Sequence, residues 1–343
     1  MPAPALVWLF SILLILAAHT AAAQASHTSH CGAVDVVMSL DQTSITVGTP
    51  INLNIKLINT TPAPLAEMRV NTQLSPGNGL EVTVQPQGEL EYRYLGALQE
   101  GIYSEAPLML RPGHPESLDT MLLFDRSRAN GLLFDKPGTY MIAAVFTFNL
   151  YKNSEKVQAT LPPTKMIVSE AQPGDAAVLK LLGHPKYLQA LQLGVAPTTD
   201  TVSLFDKAAT AYPKSSLGAL ALRAEGLTLA KSDVAADREL GAKLLQKFLK
   251  NGVADFDRDA VAWHIAAAYH MIKKYDLARA WIVWLVRNYP DSSRITDTDP
   301  LLNYYYLQPR YFAANNPWYL MKESWVVPGS QPPADLKPIT EGR

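Results

Sequence analysis

Apolar residues recur at every second position from about residue 34 to 169 of this chain, and at every third or fourth position from about residue 177 to 293. A period of two belongs to a pleated strand and one near 3.6 to an α-helix, so the chain carries two kinds of core-facing surface, one after the other. Strands followed by helices, without alternation, argue against βαβ units and for an antiparallel sheet layer joined to a helical layer. The change falls at "SEAQPGDAA", residues 169–177, where Pro173 and Gly174 break both patterns and Asp175 is placed to cap the first helix.

In the strand half, "INLNIKLINTT" sets Ile51, Leu53, Ile55 and Leu57 on one face, against Asn52, Asn54, Lys56 and Ile58 on the other. Gly48 and Pro50 turn the chain before it, after the short strand of "SITVGTP", and the Pro-rich residues 61–64 punctuate it afterward. Further strands are expected at 34–40, 80–84, 90–95, 120–124, 139–148 and 165–169. In "KPGTYMIAAVFTF", Tyr140, Ile142, Ala144, Phe146 and Phe148 share a face while Ala143 and Val145 leave the other only weakly polar. That is the pattern of a central strand covered on both sides.

The tyrosine after the Pro137-Gly138 turn resembles the tyrosine corner of immunoglobulin-like sandwiches. The stretch "TVGTPINLNIKLINTT" resembles the early strands of secreted bacterial immunoglobulin-like modules. The resemblance covers residues 34–169, lacks the cysteine pair and core tryptophan of true immunoglobulin domains, and implies a fold without a chemistry.

In the helical half, "AWHIAAAYHMIKKYDLARAWIVWLVRNYPDSS" can be laid on the pattern W-x2-L-G-x2-Y…A-x3-F…P. Ala262 takes the Trp place, Ile265, Ala266 and Tyr269 follow at the right spacing, Ala278 and Ile282 take the Ala and Phe places, and Pro290 ends the unit. This resembles a tetratricopeptide repeat. The ending "NYPDSS" at 288–293 is echoed by "AYPKSS" at 211–216, where a serine can cap the incoming helix, and another hairpin is expected from 221–230 and 239–249. Two to three degenerate repeats then lie between about 200 and 293, resembling those of envelope-located bacterial scaffold proteins; a plain helical bundle is the alternative. The resemblance implies protein or peptide binding on a concave helical face.

Residues 1–25 have an apolar core broken only by Ser11 and end in small residues, as a secretory signal does, with cleavage expected after Ala25 or Ala23. No Lys or Arg precedes that core, which keeps a retained anchor open as an alternative. The mature chain is expected in the periplasm or outside the cell, without stable membrane insertion. Thirty Lys and Arg scattered among 31 Asp and Glu leave a net charge of −1, which argues against a nucleic-acid partner.

Chemical motifs are sparse. "DFDRDA" places Asp255, Asp257 and Asp259 at alternate positions, but Ala260 and Ala266 stand where an EF-hand needs Gly and Glu; the carboxylates instead suit a helix N-terminus. His264 and His270 lie about 120° apart on a helical wheel and cannot share a metal as an i, i+4 pair can. His114 and His184 sit in Pro-flanked turns. Cys31, the chain's one cysteine, follows His27 and His30 on what should be a frayed mature end, with no lipid-attachment run before it; its expected chemistry is accidental oxidation or an intermolecular disulfide. No nucleophile elbow, zinc-binding helix, phosphate loop or dinucleotide fingerprint occurs. Eight aromatic residues fall between 304 and 325, either capping the last repeat or forming a recognition surface.

The expected architecture is multidomain, all-β plus all-α. A signal occupies 1–25, a flexible mature N-terminus 26–33, an immunoglobulin-like antiparallel sandwich 34–169, a linker 170–178, tetratricopeptide-like helices 179–293, an aromatic extension 294–327 and a disordered tail 328–343. The expected function is that of an exported, non-enzymatic interaction or scaffold module without cofactor or metal. A protein or peptide partner would meet His264, Tyr269 and Trp281 of the helical groove, beside Tyr305, Tyr311 and Trp318 of the tail. A carbohydrate- or cell-wall-binding module using the tail aromatics, and a hydrolase with a site between the halves, are the competing readings.

Overall fold

The computed structural model describes residues 26–70, 79–97, 106–113, 115–150, 156–251, 257–290 and 292 of the 343. Strands fill the first half and helices the second. A four-stranded antiparallel sheet runs β1 (Ser26–Cys31), β2 (Val34–Leu40), β4 (Ile51–Asn59), β9 (Glu116–Leu122). A second sheet is built on the hairpin of β10 (Gly138–Asn149) and β11 (Lys156–Ser169). On its far side β10 pairs with β6 (Leu80–Pro86), which carries β7 (Tyr92–Arg93), and then with β5 (Leu65–Val70), which carries β8 (Ala106–Leu110). The short β3 (Ser44–Thr46) lies parallel to the end of β11.

Alternation sets the core. Ile51, Leu53, Ile55 and Leu57 are buried with Val34, Val36, Met38 and Leu40 beside them, and Tyr140, Ile142, Ala144, Phe146 and Phe148 join the same cluster from β10. β10 is central in its sheet, but Met141, Ala143 and Val145 are only half-buried, so its outer face is less covered than the sequence suggests. The Tyr140 hydroxyl donates to the Lys136 carbonyl at 2.8 Å, tying the strand to the turn before it. β11 begins nine residues earlier than expected because Pro162 and Pro163 fall at a bulge, where the register slips between Ile142 and Ala144 of β10. Proline lacks the N–H a ladder needs, and a bulge on a strand beyond the reach of β3 is where it is tolerated.

The expected flexible segment at 26–33 is instead ordered. Gly32, at φ 65, opens a two-residue turn with Ala33 that folds β1 back on β2 in full register from Ser26↔Ser39 to Cys31↔Val34. Ser29 Oγ accepts from the Thr160 N–H at 3.0 Å, fastening β1 to β11. Cys31 is 6% exposed, and burial pushes its thiol up, so it is a small core residue rather than an exposed thiol. Neighbouring residues of a strand point to opposite faces, so His30 cannot join Cys31 on a metal; its Nδ1 instead lies 2.7 Å from the Asp35 carboxylate.

Among the described residues, seven helices follow: α1 (Pro173–Leu182), α2 (Pro185–Leu193), α3 (Thr199–Ala211), α4 (Ser216–Ala230), α5 (Ala235–Asn251), α6 (Arg258–Met271) and α7 (Tyr275–Asn288). Consecutive helices from α3 onward pack side by side, and α4 also touches α1, α2 and α6. The sequence of α4, "SLGALALRAEGLTLA", is apolar nearly all round, as suits a helix enclosed on every side.

The two halves are not separated by a linker. Residues 173–178, expected within one, form the first turns of α1, where Asp175 and Val178 are buried. Gly48, at φ 85, lets the strand turn press on the helices: a Cβ there would lie 3.1 Å from Leu179 and 3.2 Å from Leu217. Gln192 of α2 makes the polar joint. Its Oε1 accepts from the Leu123 N–H at 3.1 Å, the Phe124 N–H at 2.6 Å and the Tyr94 hydroxyl at 3.2 Å. Gln192→Leu keeps the bulk but strips these donors of their acceptor, and a buried group left unpaired costs about 1–3 kcal/mol. A loss of roughly 3 kcal/mol is expected in urea titrations. The sheet and helix signals should still melt together.

Candidate partner-binding face

The helical residues singled out by sequence divide between two faces of α6 and α7. α6 and α7 pack side by side, and Ala262, Ile265, Ala266 and Tyr269 of α6 and Ala278 and Ile282 of α7 are all buried, as are Trp281 and Leu285. Small Ala262, Ala266 and Ala278 permit that approach. Tyr269 is 5% exposed; Gln246 of α5 donates to its hydroxyl at 2.6 Å, and burial pushes the phenol up. Trp281 is 2% exposed, edge-on to Trp284 at 5.4 Å. These two expected contact residues are therefore core: their apolar surface is spent on neighbouring helices.

His264 is placed differently. Its ring stands edge-on to Trp263 at 5.1 Å, half-buried, and the arc of α6 running through Trp263, His264, Ala267, His270 and Met271 is only partly covered. Met271 is 59% exposed, and Tyr275, whose ring lies 5.6 Å from that of His270, is 47% exposed. This arc combines an indole, two imidazoles and a thioether, so it can stack, accept or donate a hydrogen bond, and adapt to an apolar side chain. Exposed Lys273 and Lys274 rim it, Lys274 held 2.8 Å from Glu239 of α5. That contact, with a second from Lys243, holds the Glu239 carboxyl below the usual range. Tyr305, Tyr311 and Trp318 lie outside the described residues.

The acidic residues at the start of α6 are structural. Asp257, at φ 58, precedes the helix, and its carboxylate binds the buried Arg223 of α4, whose Nη1 also reaches the Leu191 carbonyl of α2. Asp259 accepts from the Ser292 hydroxyl. Asp255 and His114 lie outside the described residues, and His184 caps α2, its Nδ1 accepting from the Lys186 N–H at 3.2 Å. Among the described residues no three His, Cys, Asp or Glu side chains converge to hold a metal, and no helix is long and apolar enough to cross a membrane.

Ser292 repeats a device seen earlier in the chain. At the end of α3, Tyr212 takes φ −131 and ψ 56, the Ser215 N–H donates to its carbonyl at 3.1 Å, and the Ser215 hydroxyl donates to Asp175 of α1 at 2.6 Å. At the end of α7, Tyr289 takes φ −135 and ψ 61, the Ser292 N–H donates to its carbonyl at 3.0 Å, and the Ser292 hydroxyl reaches Asp259 of α6. Both serines belong to a Tyr-Pro-x-Ser-Ser run and both aspartates to a first helical turn. Ser215 also caps α4, accepting from the Gly218 N–H at 3.0 Å, as the sequence suggests. Asp175, expected to cap α1, instead supports this cap from below and binds the Leu217 N–H at 2.9 Å. Sequence reading can find the repeated serine run; it has no signal for the aspartate across the hairpin, for Gln192 or for Arg223.

No protein-family model matches this chain, and no curated protein matches it. Among solved structures, Spo0M, a sporulation control protein from Bacillus subtilis, is 13% identical with a TM-score of 0.24 over 45% of this chain and 56% of that one. The β-glucosidase EmGH1 from Erythrobacter marinus is 12% identical with a TM-score of 0.21, over 42% of this chain and 16% of that one. The alpha-2-macroglobulin of E. coli is 13% identical with a TM-score of 0.21, over 79% of this chain and 22% of that one. The chain thus spans little more than half the length of the first and far less of the others. Likenesses this distant carry no argument about fold or function.

Proposed function

We propose that this chain is an exported, non-enzymatic interaction module that binds a protein or peptide partner on the outer face of α6, with immunoglobulin-like strands supporting tetratricopeptide-like helices. The observation that carries the reading is the split of α6: Ile265, Ala266 and Tyr269 are buried, while Trp263, His264 and Met271 remain partly open on the other side. Burial at each of the six helical repeat positions from Ala262 to Ile282, together with the duplicated Tyr-Pro-x-Ser-Ser clasp, supports the repeat assignment. The Tyr140 hydroxyl bond to the Lys136 carbonyl supports the strand assignment. Export rests on the apolar leader in the sequence alone.

α4 is enclosed by its neighbours and offers no open side, whereas the arc of α6 from Trp263 to Met271 is partly open. Immobilised protein would be exposed to envelope extract beside the double variant Trp263→Ala, Met271→Asp, with unfolding curves checking that both are folded. A partner captured by the first and lost by the second is expected. Equal capture by both, or retention of purified polysaccharide instead of protein, would overturn the proposal. N-terminal sequencing of the protein from the fractionated envelope tests the export claim separately.

A further inference from the structure

Glu225 lies in the middle of α4, 6% exposed, and its Oε2 is buried and accepts no hydrogen bond. Asp206 of α3 and Lys247 of α5 are the charged side chains that act on it from the helices on either side. Arg223, two residues away on the same helix, is directed elsewhere, to Asp257 and the Leu191 carbonyl. A buried carboxylate oxygen without a donor is costly when the group is charged, and the negative charge of Asp206 adds to that cost. Protonation makes the carboxyl neutral and provides a donor of its own.

We infer that Glu225 is a proton-operated lock on the α3–α4–α5 junction: with the proton bound the three helices pack closely, and with it lost the junction loosens. Burial first, then Asp206, pushes this carboxyl up to about 7, with Lys247 opposing. The folded protein therefore binds a proton that the unfolded chain, with an ordinary glutamate near 4.5, has already released. Stability from this group is greatest in acid, declines as pH climbs from about 4.5 to about 7, and is flat above. Gln246, next to Lys247 on α5, donates to Tyr269 on the buried side of α6. The inference does not depend on the open face of α6 having a partner.

Amide hydrogen exchange of the full chain at pH 6 and pH 8, corrected for intrinsic chemistry, tests it. Protection in α3, α4 and α5 of the wild type is expected to fall about fivefold to tenfold at pH 8: about fivefold if the closed junction holds its one proton roughly tenfold more tightly than the loosened one, and about tenfold if the loosened junction lets Glu225 return to its ordinary value. Glu225→Gln, neutral at both pH values, is expected to hold its protection. Asp206→Asn leaves Glu225 in place, removes the like charge, and is expected to move the midpoint to lower pH. An unchanged wild type across this range overturns the lock, as does an equal fall in Glu225→Gln. If Glu225→Gln fails to fold, a midpoint unmoved in Asp206→Asn overturns it instead.

Discussion

Gly241→Ala is expected to destabilise the protein by about 3 kcal/mol, although alanine is the better helix former by roughly 1 kcal/mol. Gly241 lies in α5 against the backbone of α4. A Cβ there would fall 2.3 Å from the Ala230 nitrogen, 2.7 Å from the Gly226 carbonyl oxygen and 2.7 Å from the Leu229 carbonyl carbon. These are main-chain atoms, so no rotamer change relieves the collision and the helices must move apart. Gly226 faces the same crossing, where a Cβ would meet Leu245 at 2.9 Å. Two glycines thus let α4 and α5 approach more closely than alanines would. At about 2–4 °C per kcal/mol for a chain of this size, the melting temperature should drop by roughly 6–12 °C in a circular dichroism melt. A neutral or stabilised variant would show that the two backbones do not meet this closely.

The second large effect is expected at Trp281. Sequence reading places it on a binding groove; the structure places it in the core at 2% exposure, against Trp284. Trp281→Ala leaves a cavity beneath α7 and should cost about 3–5 kcal/mol in urea titration. Trp281→Leu fills most of that space and should recover much of the loss while leaving partner binding intact. If Trp281→Leu abolished binding in a fully folded protein, Trp281 would be a contact residue and the division of α6 and α7 into buried and open faces would be wrong.

How far the sequence can be read depends on whether the signal is local. The period-two run at 51–57 and the alternation from Tyr140 to Phe148 report directly which side chains face the core, and all of those on the apolar face are buried. The change of period at 169–177 marks the change from sheet to helix for the same reason. β5 and β8 escape sequence reading because neither has a clean alternation, and β1 because its polar residues resemble a frayed end; its strand conformation comes from pairing with β2 and fastening to β11. The joint between the halves is illegible in sequence: Gln192 is an ordinary helical glutamine until Tyr94, Leu123 and Phe124 are brought to it from residues far away along the chain. In α6 and α7, helical spacing shows which residues share a face but not which face meets another helix. Spacing alone therefore puts Tyr269 and Trp281 on the open face and passes over Trp263, which stays partly open.

Photo-crosslinking from position 271 tests the partner face most directly. Met271 is 59% exposed, two helical turns along the same arc from Trp263 and His264, whereas Leu90, at 90%, is exposed on the sheet half. With a benzophenone amino acid at 271, envelope extract should give one saturable protein adduct that disappears when Trp263 is also changed to Ala; the same probe at 90 should give none. Identical adducts from both positions, or none from 271 in a folded protein, would contradict a partner face on α6.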